Sequence, residues 1–316
     1  MSLGSFLKFV EIRTKIASVI PFALGAVYSL YHYKSFKFYN FIIMFISLIA
    51  FDMATTAINN YCDYKKANKS HLDSCKVENI VIEGSIKEST ALVAIFSLLT
   101  IAVTFGIILT LNTNIIVLFI GVVSFFIGIF YTFGPIPISR MPLGELFSGF
   151  FMGFVILFLS IYIHIYDQNI VSLVYRNNIL TLSINVIEIF YIFLYSIPSI
   201  VGISNIMLAN NICDIEKDII NNRYTLPYYI SKKRALQLFK ILYFIGYIDI
   251  IILFVLKIIP SIAILALITI IPINKNINIF VKKPIKSETF ALAVKNFLFM
   301  NIIIVFFIGI TVFINY

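Results

Sequence analysis

Two similar polar clusters each follow a long apolar segment: NNYCDYKK at residues 59–66 and NNICDIEKD at residues 210–218. In the second cluster, Asn210, Asp214 and Asp218 recur at every fourth position, so they share one face of a helix. Carboxylates at the C-terminal end of a helix are repelled by its dipole, and a bound cation reverses that cost. Carboxylate and amide oxygens suit Mg²⁺, which usually shares a phosphate-bearing substrate. The second cluster therefore predicts a Mg²⁺ site.

The first cluster repeats the pattern with Asn59, Asn60 and Asp63. Basic residues lie beside both clusters and suit the remaining oxygens of a diphosphate; they are Lys65, Lys66, Lys217 and Arg223. The alternative is that Asn and Asp only mark helix ends near lipid headgroups. Two similar clusters favour binding over that alternative. Cys62 and Cys213 hold equivalent positions, and small packing residues are favoured there over a redox or metal-binding pair.

The elements that must position these clusters are membrane helices. The chain has 316 residues, of which 60% are hydrophobic and 12% are charged, whereas soluble domains carry about 25% charged residues. The apolar runs are long enough to cross a bilayer. We predict an all-α polytopic membrane protein with nine spans, treated as a single domain over residues 1–316. The predicted spans are 15–33, 39–61, 89–111, 114–132, 144–166, 187–211, 236–257, 259–275 and 290–314.

Orientation follows from the basic residues of the short loops, which are retained on the cytoplasmic side. Most of them lie on the side of the N-terminus, and the other side has only Lys34, Lys37, Arg176 and Lys257. We therefore expect an integral protein of the cytoplasmic membrane, with lipid as its surroundings and with the N-terminus and both clusters facing the cytoplasm. The net charge of +9 reflects this bias, and no nucleic-acid partner is expected.

Three stretches carry a resemblance to a known family: RTKIASVIPFALG at 13–25, YTFGPIPISRMPLGEL at 131–146 and NNICDIEKDIINNRYTLPYYIS at 210–231. With the first cluster, they resemble the UbiA superfamily of intramembrane prenyltransferases. Within it they are most similar to the 1,4-dihydroxy-2-naphthoate polyprenyltransferase branch. The resemblance implies a bundle of about nine helices whose active site faces the cytosol.

The resemblance also implies an activity and its residues. The enzyme would transfer a polyprenyl chain from an allylic diphosphate to an aromatic acceptor, 1,4-dihydroxy-2-naphthoate in menaquinone biosynthesis, with Mg²⁺ as cofactor. Asp63, Asp214 and Asp218 would be catalytic and would bind metal together with Asn59, Asn60 and Asn211. Substrate contacts are expected from polar and basic residues of both motifs and of the other matching stretches: Asn59, Asn60, Lys65, Lys66, Arg13, Lys15, Tyr131, Arg140, Asn210, Asn211, Lys217 and Arg223.

Some of these roles have alternatives. Arg13 or Lys15 could pair with the acceptor's carboxylate or only fix the topology. Arg140 could contact the diphosphate or only charge its loop.

This sequence departs from the family pattern at several positions. Asn60 stands where the family usually has Asp, and Ala67 and Lys69 occupy positions where different branches place a further Asp. Asp73 is a distant substitute. This loss would weaken one Mg²⁺ site or mark a subfamily with altered substrate. In the second motif Cys213, Asn222 and Arg223 replace a usual Arg, Gly and Lys, and Asn tolerates the left-handed backbone that Gly adopts.

Two other functions stay open. The same fold could use another acceptor, such as 4-hydroxybenzoate, haem or a secondary metabolite. More remotely, nine spans with polar helix ends could form a secondary transporter, but inverted transporter repeats place their sites near the midplane, in opposite orientations. The GFFMG stretch at 149–153 predicts close helix packing rather than a dimer face.

Overall fold

The computed structural model describes residues 1–67, 86–134 and 137–315. These residues are mostly helical. The α-helices are α1 Leu3–Phe9, α2 Ile16–Tyr28, α3 Phe38–Ala67, α4 Glu88–Asn112, α5 Ile115–Thr132, α6 Gly144–Ser148, α7 Ile156–Ile165, α8 Val186–Ile220, α9 Leu226–Ile230, α10 Lys232–Val255, α11 Ile270–Lys282 and α12 Phe290–Asn315. Short 3₁₀ segments cover Ile12–Lys15, Ile138–Arg140 and Ser261–Thr269, and π-helical turns cover Ser29–Tyr33 and Gly149–Val155.

Nine segments within the described residues are long and apolar enough to cross a membrane, as the sequence predicts. At the two polar clusters the helices continue beyond the ends of the predicted membrane spans. The predicted second and sixth spans end at residues 61 and 211, whereas α3 runs to Ala67 and α8 to Ile220. Both clusters therefore lie inside the last turns of long helices, where the helical backbone fixes the direction of each side chain.

The helices form two compact units. The first unit comprises Met1–Val19 and Ile42–Pro137. Its core joins α1, α3 and α4 through buried Phe9, Val10, Ala54, Ala57, Ile95 and Leu98. Small Ala side chains on α3 let the N-terminal helix approach closely, as in other membrane helix contacts.

The second unit comprises Ile20–Phe41 and Ile138–Tyr316. Its central helix is α8, which packs against α6, α10, α12 and the π-helical turn at Gly149–Val155. A Cβ atom added at Gly153 would lie 2.7 Å from the backbone N and Cα of Ile200 on α8. The glycines of GFFMG therefore allow close packing within the chain, which confirms the prediction. The prediction of a single domain over residues 1–316 stays a prediction.

A β-hairpin of the second unit, between α7 and α8, was not predicted from the sequence. Strands β1 Val171–Arg176 and β2 Ile179–Ile184 are antiparallel, with Val171 opposite Ile184. The two turn residues, Asn177 and Asn178, have φ angles of 51° and 62°. Positive φ at both positions is the signature of a type I′ turn, whose twist matches that of the strands.

Substitution at Gly153 tests the packing of the central helix. Gly153→Ala should lower stability by about 1–3 kcal/mol, because backbone atoms of α8 cannot move away from the new methyl group. Gly309→Ala on α12 is the matched control, since, among the described residues and apart from its own helix, no atom lies within 4 Å of its added Cβ. We expect that control to be neutral or stabilising, because Ala favours a helix over Gly by up to about 1 kcal/mol. Thermal unfolding of both variants in detergent, followed by circular dichroism, measures the difference; equal melting temperatures would contradict the packing argument.

Candidate functional site

The second motif lies on the last turns of α8. Asn211, Asp214 and Asp218 are all buried, with exposed fractions of 1%, 9% and 5%. Asn210 is half-buried and Lys217 is exposed. The helical spacing thus turns the Asn211 amide and two carboxylates toward the interior of the second unit, while Lys217 points away from it. The sequence predicted Asn210 on the face of Asp214 and Asp218, but the buried amide is that of the next residue, Asn211.

Glu145 fixes the orientation of the Asn211 amide. The Nδ2 atom of Asn211 donates to Oε1 of Glu145 at 2.8 Å. An ionised carboxylate only accepts hydrogen bonds, so the Asn211 amide must turn its NH₂ group, and not its oxygen, toward Glu145. The backbone oxygen of Glu145 also accepts from Ser204 on α8, which holds α6 against that helix. The Oδ1 atom of Asn211 is left buried without a hydrogen-bond partner among the described residues.

Lys286 pairs with Asp214. Its ammonium group donates to Oδ2 of Asp214 from the loop between α11 and α12. That loop is held in place by Thr289, whose hydroxyl donates to the backbone oxygen of Lys283 at 2.7 Å and accepts from the backbone N–H of Ile285 at 3.0 Å. A buried carboxylate requires such a neutralising partner. Lys286 thus places a cation on the first Asp of the motif.

Arg223 places a second cation beside Asp218. Its Nε atom lies 3.5 Å from Oδ1 of Asp218, and its Nη2 atom donates to the backbone oxygen of Ser139 at 3.2 Å. The preceding residue, Asn222, has a φ of 53°. The left-handed backbone expected for this position is therefore present, and it returns the chain so that the backbone N–H of Arg223 donates to the Asp218 carbonyl at 2.8 Å.

The second motif fits a hard cation that a substrate shares. Three buried oxygens have no hydrogen-bond partner among the described residues: Oδ1 of Asn211, Oδ2 of Asp218 and Oε2 of Glu145. No group of three or more His, Cys, Asp or Glu side chains suited to a metal occurs in the part of the chain that the structure describes. Two carboxylates and an amide leave several coordination positions to waters and phosphate oxygens, which is the usual pattern for Mg²⁺.

The first motif lies on α3 in the first unit. Asp63 is exposed, and Asn59 and Asn60 are half-buried. The Nδ2 atom of Asn60 donates to the backbone oxygen of Phe9 at 2.9 Å and approaches Oε1 of Glu11 at 3.3 Å. Glu11 adopts a left-handed backbone with φ of 48°. The amide at the position where the family usually has Asp thus brings a carboxylate from the N-terminal segment beside the motif.

The basic residues next to the first motif differ in what the structure shows. Lys65 forms an ion pair with Glu88 at the start of α4, and Tyr61 donates to the same carboxylate at 2.9 Å. The side chain of Lys66 lies outside the described residues, as do Lys69 and Asp73. Lys65 therefore has a carboxylate partner within its own unit.

Lys15 is a structural residue of the first unit. Its ammonium group donates to the side chain of Asp52 at 2.7 Å, to the backbone oxygen of Asp52 at 3.0 Å and to Thr56 at 2.6 Å. These three bonds use all the donors of a lysine. Ser18 donates to the other carboxylate oxygen at 2.5 Å. Lys15 thus joins the start of the first span to α3. In this arrangement all three of its N–H donors are used within the protein, and none points to the carboxylate of an aromatic substrate.

The remaining predicted substrate residues lie in three places. Arg13 is exposed at the N-terminal segment, and Tyr131 is half-buried on α5. Arg140 is half-buried in the 3₁₀ turn before α6, where its backbone oxygen accepts from Tyr224 at 3.3 Å. Arg140 and Arg223 therefore belong to one hydrogen-bonded connection between this turn and the segment after α8.

Sequence comparison identifies the family. The UbiA prenyltransferase family matches residues 18–313. The chain belongs to the UbiA prenyltransferase family. A UbiA relative from Bacillus subtilis (strain 168), 1,4-dihydroxy-2-naphthoate octaprenyltransferase, is 29% identical over 248 residues, which cover 78% of this chain and 73% of the relative. The chain is thus a prenyltransferase and an integral membrane protein, and the transporter alternative has no support.

Solved UbiA structures share the fold. A UbiA homologue from Aeropyrum pernix K1, in its apo form, superposes with a TM-score of 0.68 at 18% identity, covering 93% of this chain and 98% of its own. A homologue from Archaeoglobus fulgidus, bound to GPP and Mg²⁺, gives a TM-score of 0.66 at 13% identity, covering 98% and 99%. This UbiA member therefore has the helical fold that the sequence resemblance implies.

Three residues of this UbiA chain contact the two motifs without having been predicted as site residues: Glu11, Glu145 and Lys286. A fourth, Asp52, binds the predicted substrate residue Lys15. Glu145 lies in the stretch at 131–146 that resembles the family, and that resemblance was the available signal. Lys286 was counted only among the basic loop residues. Its partner is 72 residues away along the chain, and spacing in sequence carries no information about such a contact.

A double-mutant cycle tests the role of Lys15. Lys15→Met should lower stability by up to about 3–5 kcal/mol, because the Asp52 side chain, which is only 14% exposed, loses its cation. Adding Asp52→Leu should restore most of that loss, since an apolar pair of similar volume replaces the ion pair. Thermal unfolding of the single and double variants measures the coupling. A Lys15→Met variant with unchanged melting temperature and weakened acceptor binding would instead support the acceptor contact.

Proposed function

We propose that this chain catalyses Mg²⁺-dependent transfer of a polyprenyl chain from an allylic diphosphate to 1,4-dihydroxy-2-naphthoate, a step of menaquinone biosynthesis. The observation that supports diphosphate binding is the second motif, where buried side-chain oxygens lie beside the positively charged side chains of Lys286 and Arg223. The acceptor is supported by the Bacillus subtilis relative, whose name states that substrate. The GPP- and Mg²⁺-bound structure of the Archaeoglobus fulgidus homologue supports the donor and the metal.

Each residue of the second motif has a role in this proposal. Asn211, Asp214 and Asp218 would hold the cation. Because Glu145 binds the NH₂ group of Asn211, the amide oxygen points away from Glu145. When bound, Mg²⁺ would supply Lewis-acid stabilisation of the charge that develops on the diphosphate. Lys286 and Arg223, which lie beside Asp214 and Asp218, would add positive charge that stabilises the same oxygens as the allylic C–O bond breaks. For Asn59, Asn60 and Asp63, the proposal keeps the metal-binding role that the resemblance implies.

The second half of the reaction joins the prenyl chain to a ring carbon of the aromatic acceptor. The electron-rich aromatic ring attacks the allylic cation and forms the C–C bond, and the diphosphate leaves. The ring regains its aromaticity when the attacked carbon loses its own substituent, which is a proton or, at the carboxyl-bearing carbon of the naphthoate, CO₂. Water must be kept away from that cation, because it would give a prenyl alcohol instead. A site on membrane helices meets this need and also gives the isoprenoid tail access to lipid. The proposal places both motifs on the cytoplasmic side, from the distribution of basic loop residues.

An acceptor assay tests the activity. Purified protein in lipid vesicles is given geranylgeranyl diphosphate and Mg²⁺ with either 1,4-dihydroxy-2-naphthoate or 4-hydroxybenzoate, and prenylated products are identified by mass spectrometry. We expect product with the naphthoate, abolished by EDTA and by Asp214→Ala. Asp167→Ala is the matched control, because Asp167 is an exposed carboxylate paired with Lys37, beyond the end of α7. Product with 4-hydroxybenzoate alone would correct the acceptor, and intact diphosphate with both acceptors would contradict the proposal.

A lysine pair tests the role of Lys286. Lys286→Gln should weaken diphosphate binding by about tenfold or more, because a charge-assisted hydrogen bond is worth about 1.5–3 kcal/mol. Lys283→Gln in the same loop should leave binding unchanged, since Lys283 pairs with Glu288 at 2.7 Å. Calorimetric titration with a non-reactive thiodiphosphate analogue measures affinity without turnover. Equal affinities of the two variants would show that Lys286 only neutralises Asp214.

A further inference from the structure

The β-hairpin between α7 and α8 has one apolar face and one mostly polar face. Directly paired residues of an antiparallel hairpin lie on the same side. The pairs Val171–Ile184, Leu173–Leu182 and Tyr175–Leu180 make one face entirely apolar or aromatic. The alternating pairs make the other face, which holds Ser172, Val174, Arg176, Ile179, Thr181 and Ser183. Such a pattern indicates that one face is covered and the other meets water.

The described residues do not cover the apolar face. Val171 at the base is 9% exposed, but Tyr175, Leu180 and Leu182 are 69%, 62% and 56% exposed. Apolar exposure continues directly into α8, where Val186, Ile187 and Phe190 are exposed as well. Exposed apolar side chains on one face of the hairpin and at the start of α8 indicate an interaction site.

The base of the hairpin is fixed to the ends of two membrane helices. The backbone N–H of Asn185 donates to the Ile170 carbonyl at 2.8 Å, and the Tyr162 hydroxyl donates to the Val171 carbonyl at 2.9 Å. Asn185 also caps α8, with its side chain accepting from the backbone N–H of Glu188 at 3.2 Å. The strands therefore start where α7 and α8 leave the bilayer, at the end of α8 opposite the second motif.

Lysine and tyrosine side chains mark that level as the membrane interface. Lys37 pairs with Asp167 at 2.6 Å and lies 3.8 Å from the centre of the Tyr166 ring, just beyond the end of α7. Tyrosine and lysine are the residues that gather at the level of lipid headgroups. The hairpin therefore begins at headgroup depth, where an apolar face has acyl chains within reach.

We propose that the hairpin lies on the membrane with its apolar face in the lipid of the leaflet opposite the second motif. Two strands of this length extend about 20 Å from their base, so the hairpin enlarges the contact of the protein with that leaflet. Interfacial elements place their apolar face about 5–10 Å into the boundary between headgroups and acyl chains. The polar face, with Arg176 and the Asn177–Asn178 turn, stays in water and among the headgroups.

Adjacent tryptophan substitutions test this placement, because the chain contains no Trp. Leu182→Trp puts the only indole on the apolar face, and Ser183→Trp puts it on the polar face one residue away. The full-length variants are reconstituted in vesicles of phosphatidylcholine and phosphatidylglycerol, with and without phospholipid brominated on the acyl chain. Circular dichroism and size-exclusion chromatography check that both variants fold.

The proposal expects a blue-shifted emission for Leu182→Trp, with strong quenching by brominated lipid and weak quenching by iodide. Ser183→Trp should show the reverse. Quenching of both indoles by iodide alone would overturn the proposal, since the hairpin would then stand in water. A Leu182→Trp indole shielded from iodide and from brominated lipid would also overturn it, because another copy of the chain or another protein would cover the face. If Leu182→Trp does not fold, the pair Leu180→Trp and Thr181→Trp tests the same two faces.

Discussion

Charged groups on membrane-spanning helices must be neutralised by nearby partners, because lipid cannot solvate them. This constraint acts in both units. In the first unit, Lys15 neutralises Asp52 and ties the start of the first span to α3. In the second unit, Lys286 neutralises Asp214 and brings the loop before α12 to the end of α8. Each ion pair therefore fixes the position of an element and at the same time determines which polar atoms remain for a ligand.

The motifs owe their rigidity to helices that do not stop where hydropathy falls. Polar residues 59–63 and 210–218 are part of α3 and α8, so their side chains project from a continuous hydrogen-bonded backbone. Sites on regular elements hold their ligands more precisely than sites on loops. In the second motif, Glu145 adds to this by fixing one amide, so that a buried oxygen of Asn211 has no hydrogen-bond partner in the part of the chain that the structure describes.

Departures from the family pattern have local structural counterparts. Asn222 adopts the left-handed backbone that glycine would have supplied. Asn60, in place of a usual Asp, uses its amide as a donor toward Phe9 and Glu11, which an ionised carboxylate could not do. The first motif of this chain has thus exchanged one carboxylate on α3 for a contact with the N-terminal segment, and that segment carries a carboxylate of its own.

Some features were present in the sequence but were not recognised. The turn Asn177–Asn178 lies between two runs rich in Val, Leu and Ile, and paired Asn residues favour positive φ. This local signal predicts a hairpin. It is easily overlooked, because the two strands are short compared with the long apolar runs on either side. The predicted membrane spans end before α3 and α8 do, because hydropathy reports the thickness of the bilayer and not the end of the helix.

The sequence alone determined the membrane class, the nine spans, the family and the shared helical face of Asn210, Asp214 and Asp218. These features depend on hydrophobic runs and on spacing within one helix, which are local properties of the chain. Only the tertiary structure decided that Lys15 serves Asp52, that Glu145 orients Asn211 and that Lys286 reaches Asp214. Those partners are 37, 66 and 72 residues apart, and each lysine resembles the other basic residues of its loop. The packing of the helices decides which lysine contacts a carboxylate. A buried charge needs a partner that is close in space, and that partner can be far away along the chain.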